Sequence, residues 1–214
     1  RLRCDWSSDV CSSDLAIKTL EKAGQLDNTI VVVTSDHGMP FPRAKASLYD
    51  AGSRVPLAIR WPKGIKDSGR TMDSCMNLSS LAPTFLAAAG LQAPDMMTAG
   101  SLMNVFSNAG TPNLRAYLDK SAAFIAMERH DGCRKGGKGY PCRAIRTGEY
   151  LYIKNFKPDR WPAGNPDREF CARYIPFGEV DSSPTKSLLL DNKNKPAFNP
   201  FYDLAFAHRP ALAL

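Results

Sequence analysis

One apolar run constrains the fold of this chain more than any other feature. Residues 29–33 read Thr-Ile-Val-Val-Val. This pattern is typical of a strand buried on both faces of a parallel sheet. Residues 16–23 before it carry apolar side chains at helical spacing, and Gly24 suits the left-handed position after a helix. A helix, a short turn and a buried strand form half of a β-α-β unit, so the predicted class is α/β.

The rest of the chain predicts further elements. Residues 55–62 indicate a second strand and residues 77–91 a second helix, with a looser connection over residues 92–120. The region from 157 to 200 is rich in Pro, Asn, Asp and Gly and is predicted to be mostly loop. Three more segments are predicted to be extended: residues 121–129, residues 142–156 (a two-stranded hairpin turning at Thr147-Gly148) and residues 186–191.

The first fifteen residues, RLRCDWSSDVCSSDL, show neither a helical nor a strand period. Their repeated Ser-Ser-Asp matches the in-frame translation of a widely used sequencing adapter. We therefore predict that residues 1–15 are not native and that the native chain begins near Ala16. The expectation that follows is an internal fragment of a longer gene product.

The net charge of +7 at pH 7 favours an anionic partner, such as nucleic acid, a sulfated or phosphorylated glycan, or a membrane surface. No apolar run is long enough to span a membrane. Beyond residue 15 the cysteines lack the close pairs of a structural zinc site. Cys133 and Cys142 either close a loop as a disulfide in an oxidising compartment or are two inert thiols.

A polar tripeptide, Asp36-His37-Gly38, follows the first strand. In open α/β sheets, ligands bind beyond the carboxyl ends of the strands. A carboxylate beside an imidazole can ligate a divalent cation, and a glycine allows close backbone approach. The alternative is that Asp36 caps a turn and that His37 is an ordinary surface residue.

The segment TIVVVTSDHGMPFPRAKASLYDAGSRVPLAIRWP resembles the sulfatase family of the alkaline-phosphatase-like superfamily. In that family a strand ends in Asp-Asn-Gly or Asp-His-Gly. A Lys or Arg follows roughly eight to ten residues later, and then a Tyr-acid-x-Gly-x-Arg-x-Pro segment. The matching positions here are residues 36–38, Lys45 and residues 49–56. The Pro-Phe-Pro spacing is most similar to the sulfamidase branch, which removes N-linked sulfate from glucosamine of heparan-type glycans and has Arg where Lys45 stands.

The resemblance implies a domain layout. Residues 16–110 would be the C-terminal part of an alkaline-phosphatase-like α/β sandwich. Residues 111–214 would hold a smaller C-terminal antiparallel β-sheet subdomain, because the segment PCRAIRTGEYLYIKNF is similar to the C-terminal sheet of sulfatases.

The resemblance also implies roles for individual residues. Asp36 would be a metal ligand, with His37 at the position where many sulfatases have Asn. Lys45 would be catalytic, binding a sulfate oxygen and neutralising charge that develops there. The implied cofactor is a divalent cation. Ca²⁺ is the first expectation, and the imidazole also admits Mn²⁺ or Zn²⁺. Tyr49, Asp50 and Arg54 are predicted to hold the loop and not to contact the substrate.

The basic segment at 127–143 is the candidate substrate-binding region, since it would lie near the pocket mouth in the sulfamidase branch. Arg129, His130 and Arg143 would contact the substituents of a sulfated glycan or another small anionic substrate. The alternative is a solvated basic loop. No nucleic acid and no membrane insertion are expected, and the family implies a periplasmic, extracellular or lysosomal location.

Sulfatases use a Cys or Ser in a C/S-x-P-S/A-R motif that is oxidised to formylglycine, together with an upstream pair of aspartates. Neither feature occurs in this chain, where the similar stretch SSPTK at 182–186 ends in Lys and is predicted to be a turn. The expected enzyme is a sulfuric ester hydrolase, and this fragment alone is expected to be inactive. Two alternatives stay open: a phosphodiesterase or phosphonate hydrolase of the same superfamily, and a non-catalytic protein that binds anionic glycans.

Overall fold

The computed structural model describes residues 6–107, 122–169, 171 and 174–213 of the chain. These residues form two compact units that alternate along the sequence. Unit 1 contains residues 6–33, 57–71 and 79–107. Unit 2 contains the other described residues, which are 34–56, 72–78 and those from 122 onward. The segment after the first strand, including Asp36, His37 and Lys45, therefore lies in unit 2.

Unit 1 holds most of the helical structure predicted for the first half. Its helices are α1 (Trp6–Lys22), α3 (Leu81–Ala88) and α4 (Met103–Ser107), whereas the short helix α2 (Asp50–Ser53) belongs to unit 2. Strands β1 (Val31–Thr34) and β2 (Leu57–Arg60) pair in a two-stranded sheet. Gly24 follows α1 with φ +65°, as the sequence predicted. Helix α1 begins at Trp6, so part of the segment predicted to be non-native is helical.

The prediction that the first strand is buried on both faces is wrong for this structure. Val31 and Val32 are half-buried, but Val33 is 60% exposed and Thr34 is exposed. Within the described residues, β1 has only β2 beside it. A two-stranded sheet offers too little neighbouring surface to cover both faces of an aliphatic strand.

Unit 2 is built on a four-stranded antiparallel sheet in the order β3-β4-β5-β6. Its strands are β3 (Ala123–Met127), β4 (Cys142–Arg146), β5 (Leu151–Asn155) and β6 (Leu212–Ala213). The predicted hairpin is confirmed, because Ala144 pairs with Ile153 and the Thr147 N–H donates to the Tyr150 carbonyl across the turn at 2.8 Å.

One face of this sheet packs on the segment that carries the candidate site. Cys142, Ala144 and Ile153 alternate along their strands toward a core that also contains Tyr140 and Leu48. Leu48 is 6% exposed. Because Leu48 belongs to the segment after β1, its burial fixes that segment against the sheet.

Two helices replace predicted strand and loop near the end of the chain. Residues 186–191 were predicted as a strand, but they belong to helix α5 (Pro184–Asp191). The Ser183 hydroxyl accepts a hydrogen bond from the Lys186 N–H at 3.2 Å, and Pro184 occupies the first helical position. These are strong helix-start features, so SSPTK is a helix start and not the predicted turn. Helix α6 (Asn199–Phe206) follows, and Phe206 stacks on Phe177 with ring centroids 4.4 Å apart.

Cys133, Cys142 and Cys171 are buried free thiols, and Cys75 is a half-buried one. Of the two possibilities left open for Cys133 and Cys142, this structure has the free thiols. In the part of the chain that the structure describes, no helix has the length and apolar character needed to cross a membrane.

Candidate functional site

Close packing fixes the turn after β1. The Thr34 hydroxyl donates to the Pro56 carbonyl at 2.7 Å, and the Gly38 N–H donates to the Gly52 carbonyl at 3.0 Å. A Cβ atom on Gly38 would lie 1.8 Å from the Ala51 carbonyl oxygen. Only glycine fits this approach, so the Asp-His-Gly turn rests directly on the backbone of helix α2 (Asp50–Ser53).

Asp36 and His37 form an open pair of potential metal ligands. His37 Nε2 lies 3.6 Å from Asp36 Oδ2, and the two side chains are 42% and 85% exposed. His37 Nδ1 lies 2.7 Å from the Gly38 carbonyl oxygen. Because a carbonyl can only accept, we assign a proton to Nδ1, and Nε2 is then the ring nitrogen on the side of Asp36. This is the hydrogen-bonding pattern that orients a metal-binding imidazole.

The pair alone does not make a closed metal site. Among the described residues, no group of three or more His, Cys, Asp or Glu side chains is arranged to hold a metal ion. Asp36 and His37 fit as two ligands of a cation whose remaining positions are open.

Lys45 lies in the same loop, where it pairs with Asp181, a residue for which the sequence predicted no role. Its Nζ lies 2.8 Å from Asp181 Oδ2, with the two side chains 21% and 28% exposed. The Lys45 N–H donates to the Met39 carbonyl at 3.0 Å, which closes the loop. An oxyanion that binds Lys45 must share its ammonium group with Asp181 or displace that carboxylate.

Asp50 holds the loop, as predicted, by a contact with the sheet. Arg146 on β4 donates to both carboxylate oxygens of Asp50, from Nε at 2.9 Å and from Nη2 at 3.2 Å. This two-pronged pair fixes both the distance and the orientation of α2 relative to the hairpin.

The three residues predicted to bind substrate do not converge. Arg129 is exposed, and its Nη1 donates to the Gly137 carbonyl at 3.4 Å. Arg143 lies on the exposed face of β4, where it pairs with Glu128. His130 lies elsewhere, with its Nδ1 2.7 Å from Glu179 Oε2. The substrate-binding roles of these three residues therefore stay predictions. A single ligand that contacts all three would have to extend between separate positions.

The sequence did not predict the buried polar cluster of this region. Arg134 is 3% exposed and Glu179 is 2% exposed, and Arg134 Nη1 lies 2.8 Å from Glu179 Oε1. Arg134 also donates to the carbonyls of Trp161 and Pro162, each at 2.8 Å. Together with His130, this satisfies both oxygens of Glu179. Buried ion pairs are stable only when hydrogen-bonded in this way.

Burial also affects two groups beside this cluster. It raises the pKa of the Cys133 thiol to about 12, with the negative charge of Glu179 as the next contribution. Burial likewise raises the pKa of Tyr140 to about 12. Both groups are therefore protonated near neutral pH, and the Tyr140 hydroxyl is a potential hydrogen-bond donor.

Comparison with known proteins adds independent information. The profile of the sulfatase family matches residues 14–91. An N-acetylglucosamine-6-O-sulfatase of Bacteroides thetaiotaomicron is 42% identical over 125 residues, covering 54% of this chain and 22% of that protein. The human N-sulphoglucosamine sulphohydrolase is 28% identical over 142 residues, covering 66% of this chain and 28% of that protein.

The structural comparison agrees with the sequence matches. A solved protein in complex with its substrate D-glucosamine-2-N,6-O-disulfate superposes with a TM-score of 0.54 at 26% identity, covering 85% of this chain and 37% of that one. The predicted α/β fold class is confirmed by this similarity. The chain spans only between 22% and 28% of the two curated relatives.

Proposed function

We propose that this chain is part of an enzyme that hydrolyses sulfate groups on sulfated glycans. The similarities described above support this proposal, because they favour assignment of the chain to the sulfatase family. The observation that carries the proposal is the Asp36–His37 pair, held at the end of β1 with Nε2 facing a carboxylate. Related proteins named for 6-O-sulfate and N-sulfate removal from glucosamine support this substrate class, and a sulfamidase-like activity is one form of it.

In this proposal, Asp36 and His37 hold a divalent cation. A cation bound there supplies Lewis-acid polarisation of a sulfate oxygen. Carboxylate oxygens favour Ca²⁺, whereas the imidazole makes Mn²⁺ or Zn²⁺ acceptable. The contact of His37 Nδ1 with the Gly38 carbonyl keeps the ring in one orientation, so the ligand atom needs no rearrangement before binding.

Lys45 is the proposed catalytic cation of this chain. Its ammonium group would donate to a sulfate oxygen and offset negative charge as the bond to sulfur breaks. Asp181 positions Lys45 in the absence of substrate. The formylglycine motif of the family is not among these 214 residues, so we propose that this chain alone does not turn over substrate.

The proposed contacts with the glycan away from Lys45 are inferred from which side chains are exposed. Arg129 and Arg143 are exposed cations that can contact an extended anionic glycan at separate points, whereas His130 contacts Glu179. For the whole protein we propose a periplasmic, extracellular or lysosomal location, as the sequence resemblance implies.

The test uses the protein encoded by the complete gene. Hydrolysis of N-sulfated and 6-O-sulfated glucosamine should exceed hydrolysis of a phosphate diester, and Asp36→Asn or Lys45→Met should lower the rate by at least about a hundredfold. Asp67→Asn, which removes an exposed carboxylate in unit 1, is the matched control and should leave the rate unchanged. A preference for the phosphate diester would assign the gene to phosphoryl transfer instead.

A further inference from the structure

Unit 2 contains a cleft that borders Lys45 and is also lined by residues to which the proposed chemistry gives no role. It has a cavity volume of about 50 Å³ and opens to solvent between the loop at residues 43–49, strands β4 and β5, and the end of α6. Lys45, which pairs with Asp181, contributes to one side of it. The rest of the lining includes Glu179, whose carboxylate is paired with Arg134 and His130, and two arginines and two tyrosines: Arg43, Arg209, Tyr49 and Tyr140.

The two arginines meet at one aromatic ring. The Arg43 guanidinium carbon lies 3.9 Å from the centroid of Tyr49, and that of Arg209 lies 5.7 Å from the same centroid. Burial, and the positive charge of Arg43, lower the pKa of Arg209. Two like charges in a partly desolvated cleft repel, and the face of one phenol ring offsets this only in part.

Neither arginine has an acidic partner in the part of the chain that the structure describes. Lys45 and Arg134, by contrast, each have a carboxylate at 2.8 Å. Arg209 Nη2 donates to the carbonyls of Leu204 and Ala205 at the end of α6, which uses a minority of its five N–H groups. Most guanidinium donors of the pair are therefore available to a ligand.

The backbone holds Arg43 in an unfavourable conformation. Its φ is +61°, in the left-handed region that non-glycine residues rarely adopt. Ala46, in the same loop, has φ +58°. Strain of this kind persists only where surrounding structure maintains it, and it is concentrated at ligand sites. Here it aims the Arg43 guanidinium at the ring of Tyr49.

A buried hydroxyl supplies the second, independent observation. Tyr140 lines the cleft and is 3% exposed, and its hydroxyl has no hydrogen-bond partner among the described residues. A buried hydroxyl without a partner is costly and uncommon. As a protonated donor in the cleft that the two arginines also line, it matches the oxygen of an anion.

We propose that Arg43, Arg209 and the Tyr140 hydroxyl, in the cleft that Lys45 also borders, bind a sulfate group of the saccharide substrate through donors other than Lys45. Arginine suits this task because its planar fork donates two hydrogen bonds to one oxyanion. The site uses none of the proposed metal ligands. The saccharide part of this proposal rests on the proposed function, whereas binding of the sulfate group does not.

Calorimetric titration of the 214-residue chain tests the proposal, with EDTA present to exclude any contribution from Asp36 and His37. Sodium sulfate and a 6-O-sulfated glucosamine are titrated at constant ionic strength, with chloride as the comparison ion. We expect saturable binding of both, with tighter binding of the sugar. Equal affinity for the two would overturn the saccharide assignment while keeping the sulfate site.

The choice of variants is based on the positive φ angles of Arg43 and Ala46. Arg43→Gly removes the guanidinium and relieves the positive-φ strain, so lost binding cannot arise from added strain. Ala46→Gly makes the same backbone change without removing a charge and is the matched control. Arg209→Gln can still donate to the helix carbonyls.

We expect Arg43→Gly and Arg209→Gln each to weaken sulfate binding about tenfold or more, as loss of a charged hydrogen bond does. Tyr140→Phe should weaken it by a smaller factor, and Ala46→Gly should not change it. Absence of saturable binding by the parent chain would overturn the proposal. So would equal affinities of the parent chain, Arg43→Gly and Arg209→Gln in samples whose circular dichroism shows them folded. Metal binding at Asp36 and His37 is measured separately, so failure of this site does not count against the proposed function.

Discussion

Lys45 Nζ and Asp181 Oδ2 lie 2.8 Å apart although 136 residues separate them in the chain. This contact ties the loop after β1 to the start of α5, because Asp181 lies two residues before the capping residue Ser183. It also gives the proposed catalytic lysine a defined position before substrate arrives. The same carboxylate competes with any oxyanion for the ammonium group.

The Lys45–Asp181 pair should contribute measurably to stability. We predict a coupling of about 1 kcal/mol in a double-mutant cycle of Lys45→Met and Asp181→Asn, because the pair is mostly shielded from solvent. Urea denaturation of the four proteins gives this quantity. Additive effects, within about 0.3 kcal/mol, would show that the pair is not formed in solution.

The buried Arg134–Glu179 pair should matter more. Replacing Glu179 with Gln leaves the Arg134 charge uncompensated in a buried setting, so we expect a loss of about 3 to 5 kcal/mol of unfolding free energy. Arg129→Gln, at an exposed arginine of the same segment, should cost at most about 0.5 kcal/mol. Similar melting temperatures for Glu179→Gln and Arg129→Gln would contradict the burial of this cluster.

Stability should fall at alkaline pH because of the buried thiols. Burial raises the pKa of Cys133 from 9.0 to about 12 and that of Cys142 from 9.0 to about 11. A thiol whose pKa is higher in the folded than in the unfolded state contributes its full stabilisation of the fold below the unfolded-state pKa. It loses that contribution as the pH rises through the folded-state pKa. The unfolding midpoint should therefore decrease as the pH rises from about 9 toward 12.

Cys142→Ala provides the control for this pH effect, since it removes one titrating group at a position that is 3% exposed. Its midpoint should depend less steeply on pH than that of the parent chain. Parallel curves for the two proteins would mean that Cys142 does not titrate on unfolding in this range.

The glycine after the Asp-His pair should be irreplaceable. Gly38→Ala places a Cβ atom 1.8 Å from the Ala51 carbonyl oxygen, so the turn must move. We expect a loss of about 2 kcal/mol or more, as for other severe steric changes. Gly148→Ala is the control, because a Cβ atom there would meet nothing within 4 Å. Equal stability of the two variants would contradict the close approach of these backbones.

The sequence predicted the features that depend on residues close together along the chain. The helix end at Gly24 and the hairpin around Thr147 follow from local backbone preferences and from alternation of apolar side chains. Helix α5 was mistaken for a strand because its short apolar run fits both periods. The capping by Ser183 and the position of Pro184 were the available signals for a helix.

The polar contacts of unit 2 could not be predicted in the same way. Glu179 meets Arg134 and His130 across 45 and 49 residues, and no local pattern encodes such a partner choice. From the sequence, the basic segment looked like a solvated loop or a substrate-binding loop. In the structure one of its arginines is buried, and the predicted contacts of Arg129, His130 and Arg143 point to separate places.

The most direct test of the account is Mn²⁺ binding by the 214-residue chain, followed by electron paramagnetic resonance of the free ion. If Asp36 and His37 are metal ligands, the chain should bind one Mn²⁺ with a dissociation constant of about 1 mM or tighter. Asp36→Asn and His37→Gln should each weaken this binding about tenfold or more, whereas Asp67→Asn should not. Binding that is unchanged in Asp36→Asn and His37→Gln, or no binding by the parent chain, would contradict the metal site on which the proposed sulfatase function depends.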